Sequence, residues 1–468
     1  MNGYPYLDDL ALQARDRPEA PALVLADRTL TWRELDLAAE AYAPRHSWED
    51  GSGPRGQAVG LLLPPGEEAV AALHALPRIG SPLMPLDPRL SGGEADDTFE
   101  RFGLRRMQEA SDYPKSTGDA AWVDPSPDSI RTSMLTSGSS GEPRRVPLTF
   151  ANHRAAAEAA RHLLDLTPED RWLACLPFHH IGGLSVFTRS AHVGFAAVVV
   201  WPFDAAGVID AVERHQATAI SLVPTMLRRL LDAGWASPTS LRFVLLGGGA
   251  CPPSLLREAL DRGVPIAPTY GMTETCSQIC TLPPDEVNTH VGTVGRPIPG
   301  AAVSIRDGSG APCQNGEVGR IWVKGAMVAD PDWLETGDVG VLDQEGFLTV
   351  IGRADEMIVT GGEKVAPAEI EELLVMRDDV AEAAVVGVTD PEWGERVVAA
   401  VVLAVVPGRE GTPDAEALRS YLRENLAPFK VPRSITVVDE LPLIGPGKVD
   451  RNMLRELTSV AQQEARDL

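Results

Sequence analysis

The stretch from Arg242 to Tyr270 constrains the fold of this chain more than any other. It reads as a strand from Phe243 to Leu246, a Gly247-Gly248-Gly249 loop, a helix from Pro253 to Asp261 stopped by Gly263, and a second strand from Val264 to Pro268. Strand, helix and strand in that order make a βαβ unit, so the two strands are expected to run parallel. Both lead into short motifs, Gly247 to Gly249 and Tyr270 to Glu274. Ligands of open parallel sheets collect at the carboxyl ends of strands, and that edge is the expected site.

The same alternation occurs nearer the start, where helical periodicity at Asp36 to Ala43 and Glu67 to Leu76 alternates with apolar strands at Ala22 to Leu25 and Ala58 to Leu63. Leu90 to Pro127 is polar and is expected to be irregular. After Gly352 the texture changes. A helix at Ala368 to Val375, valine-rich strands at Ala383 to Val388 and Val397 to Val406, a helix at Asp414 to Leu426 and a strand near Ile435 to Val438 predict a small mixed domain. The expected fold is α/β, with a large N-terminal domain of layered α/β subdomains over 1–353 and a small C-terminal α+β domain over 354–468. Arg353-Ala354-Asp355 stands where a hinge would fall.

Composition excludes several classes of function. The longest apolar run, Val397 to Val406, is far shorter than the roughly 20 residues that span a bilayer, and its valines favour a buried strand. A net charge of -24 opposes non-specific binding to nucleic acid or to an anionic membrane. The five cysteines contain no CxxC pair, so neither a disulfide framework nor a zinc site is expected, and a reducing cytoplasm fits. Met1 to Arg17 mixes acids with apolar residues and carries no secretory pattern, so the mature protein is expected to begin there. Only five of the 42 basic residues are lysines: Lys115, Lys324, Lys364, Lys430 and Lys448.

Four segments can carry chemistry. Thr136-Ser137-Gly138-Ser139-Ser140-Gly141-Glu142-Pro143-Arg144-Arg145 combines flexible residues, hydroxyls and cations able to wrap phosphate oxygens, although a Gly/Ser run is as readily a linker. It lacks the spacing of a Walker loop. Tyr270-Gly271-Met272-Thr273-Glu274 offers an aromatic face for a base, a hydroxyl for a phosphate and a carboxylate for Mg²⁺. Asp338 in Thr336-Gly337-Asp338 can accept from ribose hydroxyls, or the tripeptide is simply a turn. Lys448 sits in Gly445-Pro446-Gly447-Lys448; a lone lysine is usually a solvated charge, but here a lysine is kept in a chain that otherwise prefers arginine.

These segments, in this order and spread over residues 136 to 448, resemble the adenylate-forming superfamily of acyl-CoA synthetases, peptide-synthetase adenylation domains and luciferases. The resemblance implies that Thr136, Ser137, Gly138, Ser139, Ser140, Gly141 and Arg144 form the phosphate loop. By the same resemblance Gly247, Gly248, Gly249 and Tyr270 frame the adenine, Thr273 contacts the α-phosphate, and Glu274 holds Mg²⁺. Asp338 and Arg353 bind the ribose hydroxyls, and Asp355 is the hinge of a mobile C-terminal domain. Gly362 and Glu363 belong to a loop swung inward for thioester formation, and Lys448 bridges carboxylate and ATP. The implied partners are a small carboxylic acid, ATP and coenzyme A, with Mg²⁺ as cofactor; a homodimer is the expected assembly. Two features depart from the family. Pro143-Arg144-Arg145 stands where the pattern has Pro-Lys-Gly, which puts the loop's opening and closing in question, and the stretch Met327 to Leu334 is short.

Within the superfamily, Leu176 to Ser185 (LPFHHIGGLS), Leu245 to Gly249 and Tyr270 to Ile279 (YGMTETCSQI) are similar to the o-succinylbenzoate CoA ligases of menaquinone biosynthesis. Such an acid has two carboxylates, and the ring carboxylate needs a cation. Arg189, nine residues beyond His180 on a predicted helix, is the candidate, against a plain surface arginine paired with some acid. His180 gates the pocket or packs in the core, and Ser277 and Gln278 line the acyl pocket. Cys276 and Cys280 are expected to share a helix face as small buried groups. The rival readings are another aryl- or acyl-CoA ligase, a carrier-protein-loading adenylation domain, and a homologue that binds nucleotide without turnover. Against the carrier-protein reading, Phe178-His179-His180 lacks the aspartate that would hold an α-amine.

Overall fold

In the computed structural model of the chain, residues 8–42, 56–106, 126–137, 143–236, 238–377, 379–404, 414–444 and 448–458 are described, with Ser137, Leu443, Ile444 and Lys448 described through their backbone alone. They fall into two compact units. The first comprises Met1–Gly249, Ala259–Val303 and Val323–Leu334; the second comprises Ala250–Glu258, Ser304–Trp322 and Glu335–Leu468.

The first unit is built on two sheets. Among the described residues nine strands form the larger, in the order Arg296–Pro297, Ser277–Thr281, Ile266–Met272, Phe243–Leu246, Ala219–Leu222, Arg171–Ala174, Ala196–Val199, Pro21–Val24 and Thr29–Thr31. Its centre is parallel: Val244 lies opposite Ile266, Leu246 opposite Pro268, and Ala219 opposite Phe243. The βαβ reading therefore holds, with the helix at Pro253–Asp261 as expected. The second strand starts later than Val264, because Gly263 closes the helix at φ +73° and the Val264 N–H still bonds to Ala259. It also runs further, to Met272, since Ser277–Thr281 pairs with it antiparallel.

That pairing corrects the expectation for Cys276 and Cys280. Both are buried, but they share no helix face. Cys276 (φ 52°) and the following Ser277 (φ 99°) reverse the chain into a hairpin, and Cys280 lies on the returning strand. Nothing in the residue types announces two consecutive positive φ angles, which non-glycine residues seldom adopt.

The smaller sheet orders Arg105–Arg106, Val59–Leu61, Leu83–Pro85, Ile130–Ser137 and Pro143–Thr149, parallel until the last two strands, which form an antiparallel hairpin. The early helices run over Trp32–Tyr42 and Glu67–Arg78. Leu90 to Pro127 is not irregular throughout. Gly92–Arg101 is a helix begun by a Ser91/Glu94 capping box, and it buries only Ala95 and Phe99, too few apolar residues to make a visible period.

In the second unit the sheet of Glu363–Val365, Ile358–Thr360, Gly394–Leu403 and Val380–Asp390, joined by Ser434–Val437, carries the core. Side chains of a strand alternate between faces. Val385, Val397, Ala399 and Val401 pack with Ile370, Leu374, Leu418 and Leu422 of the helices Pro367–Val375 and Ala415–Asn425. Ala384, Val386, Val398 and Ala400 pack on the other face with Leu441 and Leu454. Burial on both faces is why the run at 397–401 is continuously apolar. Each valine or leucine sealed there contributes about 1.5 to 3 kcal/mol. A further sheet orders Ala301–Arg306, Gly319–Gly325, Leu334–Leu342 and Leu348–Arg353. Among the described residues no helix is long and apolar enough to cross a membrane.

Candidate active site

The carboxyl edge of the nine-stranded sheet is crowded backbone against backbone. A Cβ on Gly247 would stand 2.7 Å from Thr269 Cγ2, and one on Gly271 would stand 1.6 Å from the carbonyl oxygen of Ser277. Only glycine fits either place. Gly248 adopts φ +77° and turns the loop, and Gly249 follows in the open. Tyr270 is half-buried beside them.

Thr273–Thr275 is a single tight turn. The Met272 N–H donates to Thr275 Oγ1 at 2.9 Å, and that hydroxyl lies 2.8 Å from the Ser277 carbonyl, to which it donates, so one buried threonine closes the turn from both sides. The Ala329 N–H donates to the Glu274 carbonyl at 2.7 Å. The Glu274 carboxylate makes no hydrogen bond or ion pair among the described residues. A partially exposed carboxylate without a cation partner is a hard oxygen donor of the kind Mg²⁺ takes, one or two at a time, with water and substrate phosphates completing its shell. No cluster of three His, Cys, Asp or Glu able to hold a metal occurs among the described residues.

Of the residues expected to form a phosphate loop, Gly138, Ser139, Ser140 and Gly141 lie outside the described residues. The hairpin on either side sets Thr136 opposite Arg144 and Ser137 opposite Pro143. Thr136 Oγ1 is buried with no hydrogen-bond partner among the described residues, and Arg144 is exposed. Arg145 occupies a regular strand position opposite Leu135, its Nε donating to Ser133 Oγ at 3.1 Å. Extended backbone there has no need of glycine.

The helix Ile181–Val193 begins at His180, its N-cap residue. Gly183 is required, because a Cβ there would lie 2.2 Å from the Pro177 carbonyl oxygen. The ring of His179 is 4.3 Å from that of His180, and its Nε2 is 3.7 Å from Asp87, whose carboxylate Arg89 also grips. Burial first, then the nearby His180, lowers the His179 pKa to about 4, so the ring is neutral. Hydrogen bonds from Arg89 hold Asp87 down at about 2.

Arg189 is no surface residue. It is 1% exposed, its guanidinium lies 5.4 Å from the Trp172 ring centre, and none of its three nitrogens has a hydrogen-bond acceptor among the described residues. Burial lowers its pKa to about 10, so it remains charged at neutral pH. It lies close enough to Cys276 and His153 for its charge to act on both. Gln278 is buried, its Nε2 donating to Thr281 Oγ1 at 2.7 Å, while Ser277 is half-buried.

In the second unit, Asp338 lies opposite Arg353 across paired strands, 3.3 Å from the guanidinium. Arg353 also donates to the Thr336 carbonyl and to Asp355, each at 3.2 Å. Desolvation opposes its charge, but Asp355 and Asp338 outweigh it and raise the pKa. Gly337, at φ +80°, leaves room for the guanidinium; a Cβ there would stand 2.8 Å from its nitrogen. Gly361 and Gly362 both have positive φ between Thr360 and Glu363, the two-residue hairpin turn that demands glycine. The Gly361 N–H donates to the Trp393 carbonyl at 2.9 Å. Lys448 lies opposite Ile444 in a short antiparallel pair, and 445–447 are outside the described residues.

Sequence reasoning passed over one feature of this unit. Trp393 is 40% exposed beside the Gly361 turn, with the Arg433 guanidinium 5.1 Å from its ring centre. A tryptophan left open to water is unusual, but no local signal announces it.

The family model described as AMP-binding enzyme matches residues 10–107 and 103–331, and that of the AMP-binding enzyme C-terminal domain matches 369–448. The chain belongs to the AMP-binding enzyme family. This AMP-binding enzyme is 36% identical to the 2-succinylbenzoate--CoA ligase of Bacillus pumilus, an alignment covering 94% of this chain and 95% of the relative. Among solved structures it resembles the o-succinylbenzoate CoA synthetase of Bacillus subtilis in complex with the acyl-adenylate intermediate, with a TM-score of 0.88, 34% identity, and 96% and 98% of the two chains covered. The same synthetase in complex with ATP and magnesium ion gives a TM-score of 0.87 at 34% identity, covering 96% and 99%. The expected α/β fold with a separate smaller C-terminal domain is the fold of this family.

Proposed function

We propose that this AMP-binding enzyme is an AMP-forming acid–thiol ligase that joins o-succinylbenzoate to coenzyme A with ATP, as the names of its relatives state for them, and that it serves menaquinone biosynthesis. One observation in the chain itself supports this acid above others: the buried Arg189 guanidinium, which has no acceptor among the described residues. A buried unpaired charge is costly, and a substrate carboxylate with two oxygens would satisfy it.

In the first half-reaction an oxygen of the succinyl carboxylate attacks the α-phosphorus of ATP, the bond to pyrophosphate breaks, and an acyl adenylate forms. In the second, the CoA sulfur attacks the acyl carbon, AMP leaves, and the thiol proton passes to solvent. Neither step needs a protein nucleophile; positioning and charge neutralisation suffice. Thr136 to Gly141 and Arg144 hold the phosphates, Gly247 to Gly249 and Tyr270 frame the adenine, and Thr273 meets the α-phosphate. Glu274 holds Mg²⁺, which supplies charge neutralisation on the phosphates. Asp338 and Arg353 hold the ribose. His180, Ser277 and Gln278 line the acyl pocket. Lys448 serves adenylation alone and is carried away as residues 354–468 turn about Asp355, bringing Gly362 and Glu363 inward. Trp393 with Arg433 offers the CoA nucleotide an aromatic face and a cation. The reading includes a cytoplasmic location and a homodimer, which light scattering of the purified protein would check.

The test uses ATP, Mg²⁺ and CoA with o-succinylbenzoate, with its analogue lacking the ring carboxylate, and with benzoate and a fatty acid as controls. The wild type should prefer o-succinylbenzoate. Arg189→Met should lose roughly 30- to 1,000-fold in kcat/KM on that acid, as expected for a buried charge pair, and only a few-fold on the analogue. Equal losses on both acids would remove Arg189 from the role. Lys448→Ala should abolish pyrophosphate exchange yet spare thioester formation from preformed adenylate.

A further inference from the structure

Asn152 and His153, at the start of the helix Phe150–Leu163, have no role in the reaction as described, yet their side chains leave the helix to hold other elements. Asn152 uses its whole hydrogen-bonding capacity. Its Oδ1 accepts from the Thr149 N–H and hydroxyl at 2.9 Å each, which caps the helix where the strand Pro143–Thr149 enters it. Its Nδ2 donates to the carbonyls of Ala326 and Val328, both at 2.9 Å. The next residue, Ala329, donates its N–H to the Glu274 carbonyl.

His153 reaches the same turn from the other side. One ring nitrogen is 2.8 Å from Thr132 Oγ1, on the strand that leads to Thr136, and the other is 3.4 Å from Cys276 Sγ. Burial, reinforced by Arg131 and Arg189, keeps the ring neutral, so it donates from one nitrogen and accepts at the other. The Cys276 S–H is a donor that the ring can accept from. Cys276 is the first of the two positive-φ residues after Glu274. Such backbone persists only where the surroundings over-determine it.

We infer that Asn152 and His153 are positioning residues that lock the Thr273–Cys276 turn to the hairpin carrying Thr136 and Arg144, holding the metal and phosphate groups in register for adenylation. A helix needing only an anchor would have it in the Thr149 cap and in its buried Phe150, Ala156, Ala157 and Ala160. The additional bonds lead to Thr132 on the strand that ends near Thr136, to Cys276 of the turn, and to the carbonyls of Ala326 and Val328, whose neighbour Ala329 donates to the Glu274 carbonyl. The inference rests on Glu274 as the metal residue.

The test compares His153→Phe, Cys276→Ala and Cys276→Ser with the wild type in pyrophosphate exchange, in thioester formation from preformed acyl adenylate, and in the Mg²⁺ concentration that half-saturates the first. Outer partners of a metal residue typically tune its affinity by about 10- to 100-fold. His153→Phe and Cys276→Ala should raise the Mg²⁺ requirement and slow exchange within that range, leaving thioester formation within about twofold. Cys276→Ser, which keeps a proton to donate, should restore most of the loss. Equal loss in both half-reactions, an unchanged Mg²⁺ requirement, or no difference between serine and alanine overturns the inference. If His153→Phe does not fold, the two Cys276 variants decide. Glu274→Gln separates the two layers. An unchanged Mg²⁺ requirement there removes the metal reading and the inference with it, whereas a raised one beside unaffected Cys276 variants removes the inference alone.

Discussion

The Thr273–Cys276 turn of the first unit and the Thr336–Asp338 segment of the second each present proposed nucleotide contacts beside positive-φ residues, but they are held by different forces. Around the first, Gly271 admits a carbonyl where a side chain would stand, Thr275 is fully buried, and a neutral histidine bonds the thiol of Cys276. Around the second, Asp338 and Asp355 share one guanidinium that is 37% exposed. Groups sealed from water cannot change partners without cost, whereas exposed charges are screened and replaceable. The first segment is thus intolerant of change in shape, and the second chiefly of change in charge.

The harshest test of that contrast is a matched pair of glycine substitutions. In Gly271→Ala the new methyl group meets the Ser277 backbone, which has nowhere to go, so a loss above about 4 kcal/mol is expected, the range of severe core disruption. In Gly337→Ala it meets the far end of the Arg353 side chain, which can swing away. The remaining cost is the left-handed backbone, about 1 to 2 kcal/mol. Urea denaturation measures both, and similar losses would break the comparison.

Acid should sharpen it. All nine histidines lie at or before His290, and none falls in the second unit. Burial holds His74, His153 and His179 neutral, with folded pKa values below the ordinary 6.5. The folded state therefore binds fewer protons than the unfolded one. The stability these residues contribute is complete above about pH 6.5 and falls as pH drops toward the folded values, about 4 for His179. For His179 alone the loss is on the order of 2 to 3 kcal/mol. Hydrogen exchange followed by mass spectrometry between those pH values should show Arg171–Ala174 and Ala219–Leu222 losing protection before Val397 to Val401. The reverse order would count against the contrast.

The smallest effect on stability is expected from Asp338→Asn. Arg353 keeps Asp355 and the Thr336 carbonyl, so the change should stay below about 1 kcal/mol. The KM for ATP should nonetheless rise clearly. A large loss of stability would mean that the second segment is as tightly determined as the first.

Features that depend on neighbours along the chain were legible in the sequence. The helix Pro253–Asp261 is bounded where proline and glycine predict, and Asp414 caps Ala415–Asn425 as its position implies, because capping and periodicity act within a few residues. The alternation in Gly394–Leu403 was hidden, since a strand buried on both faces is apolar throughout. The order of motifs from Thr136 to Lys448 was enough to indicate the family.

What the sequence by itself determined is therefore the α/β class, the locally capped helices such as Pro253–Asp261, and the family that the ordered motifs indicate. Only the tertiary structure decided that Arg189 is buried without a hydrogen-bond partner among the described residues, that Cys276 turns the chain and Cys280 lies on a strand rather than both on a helix, and that Asn152 and His153 brace the Glu274 turn. Those bonds join residues 123 and 176 positions apart, Cys276 to His153 and Val328 to Asn152. The worth of a buried polar group depends on its partners and on the exclusion of water, and both come from packing between distant segments rather than from any local pattern.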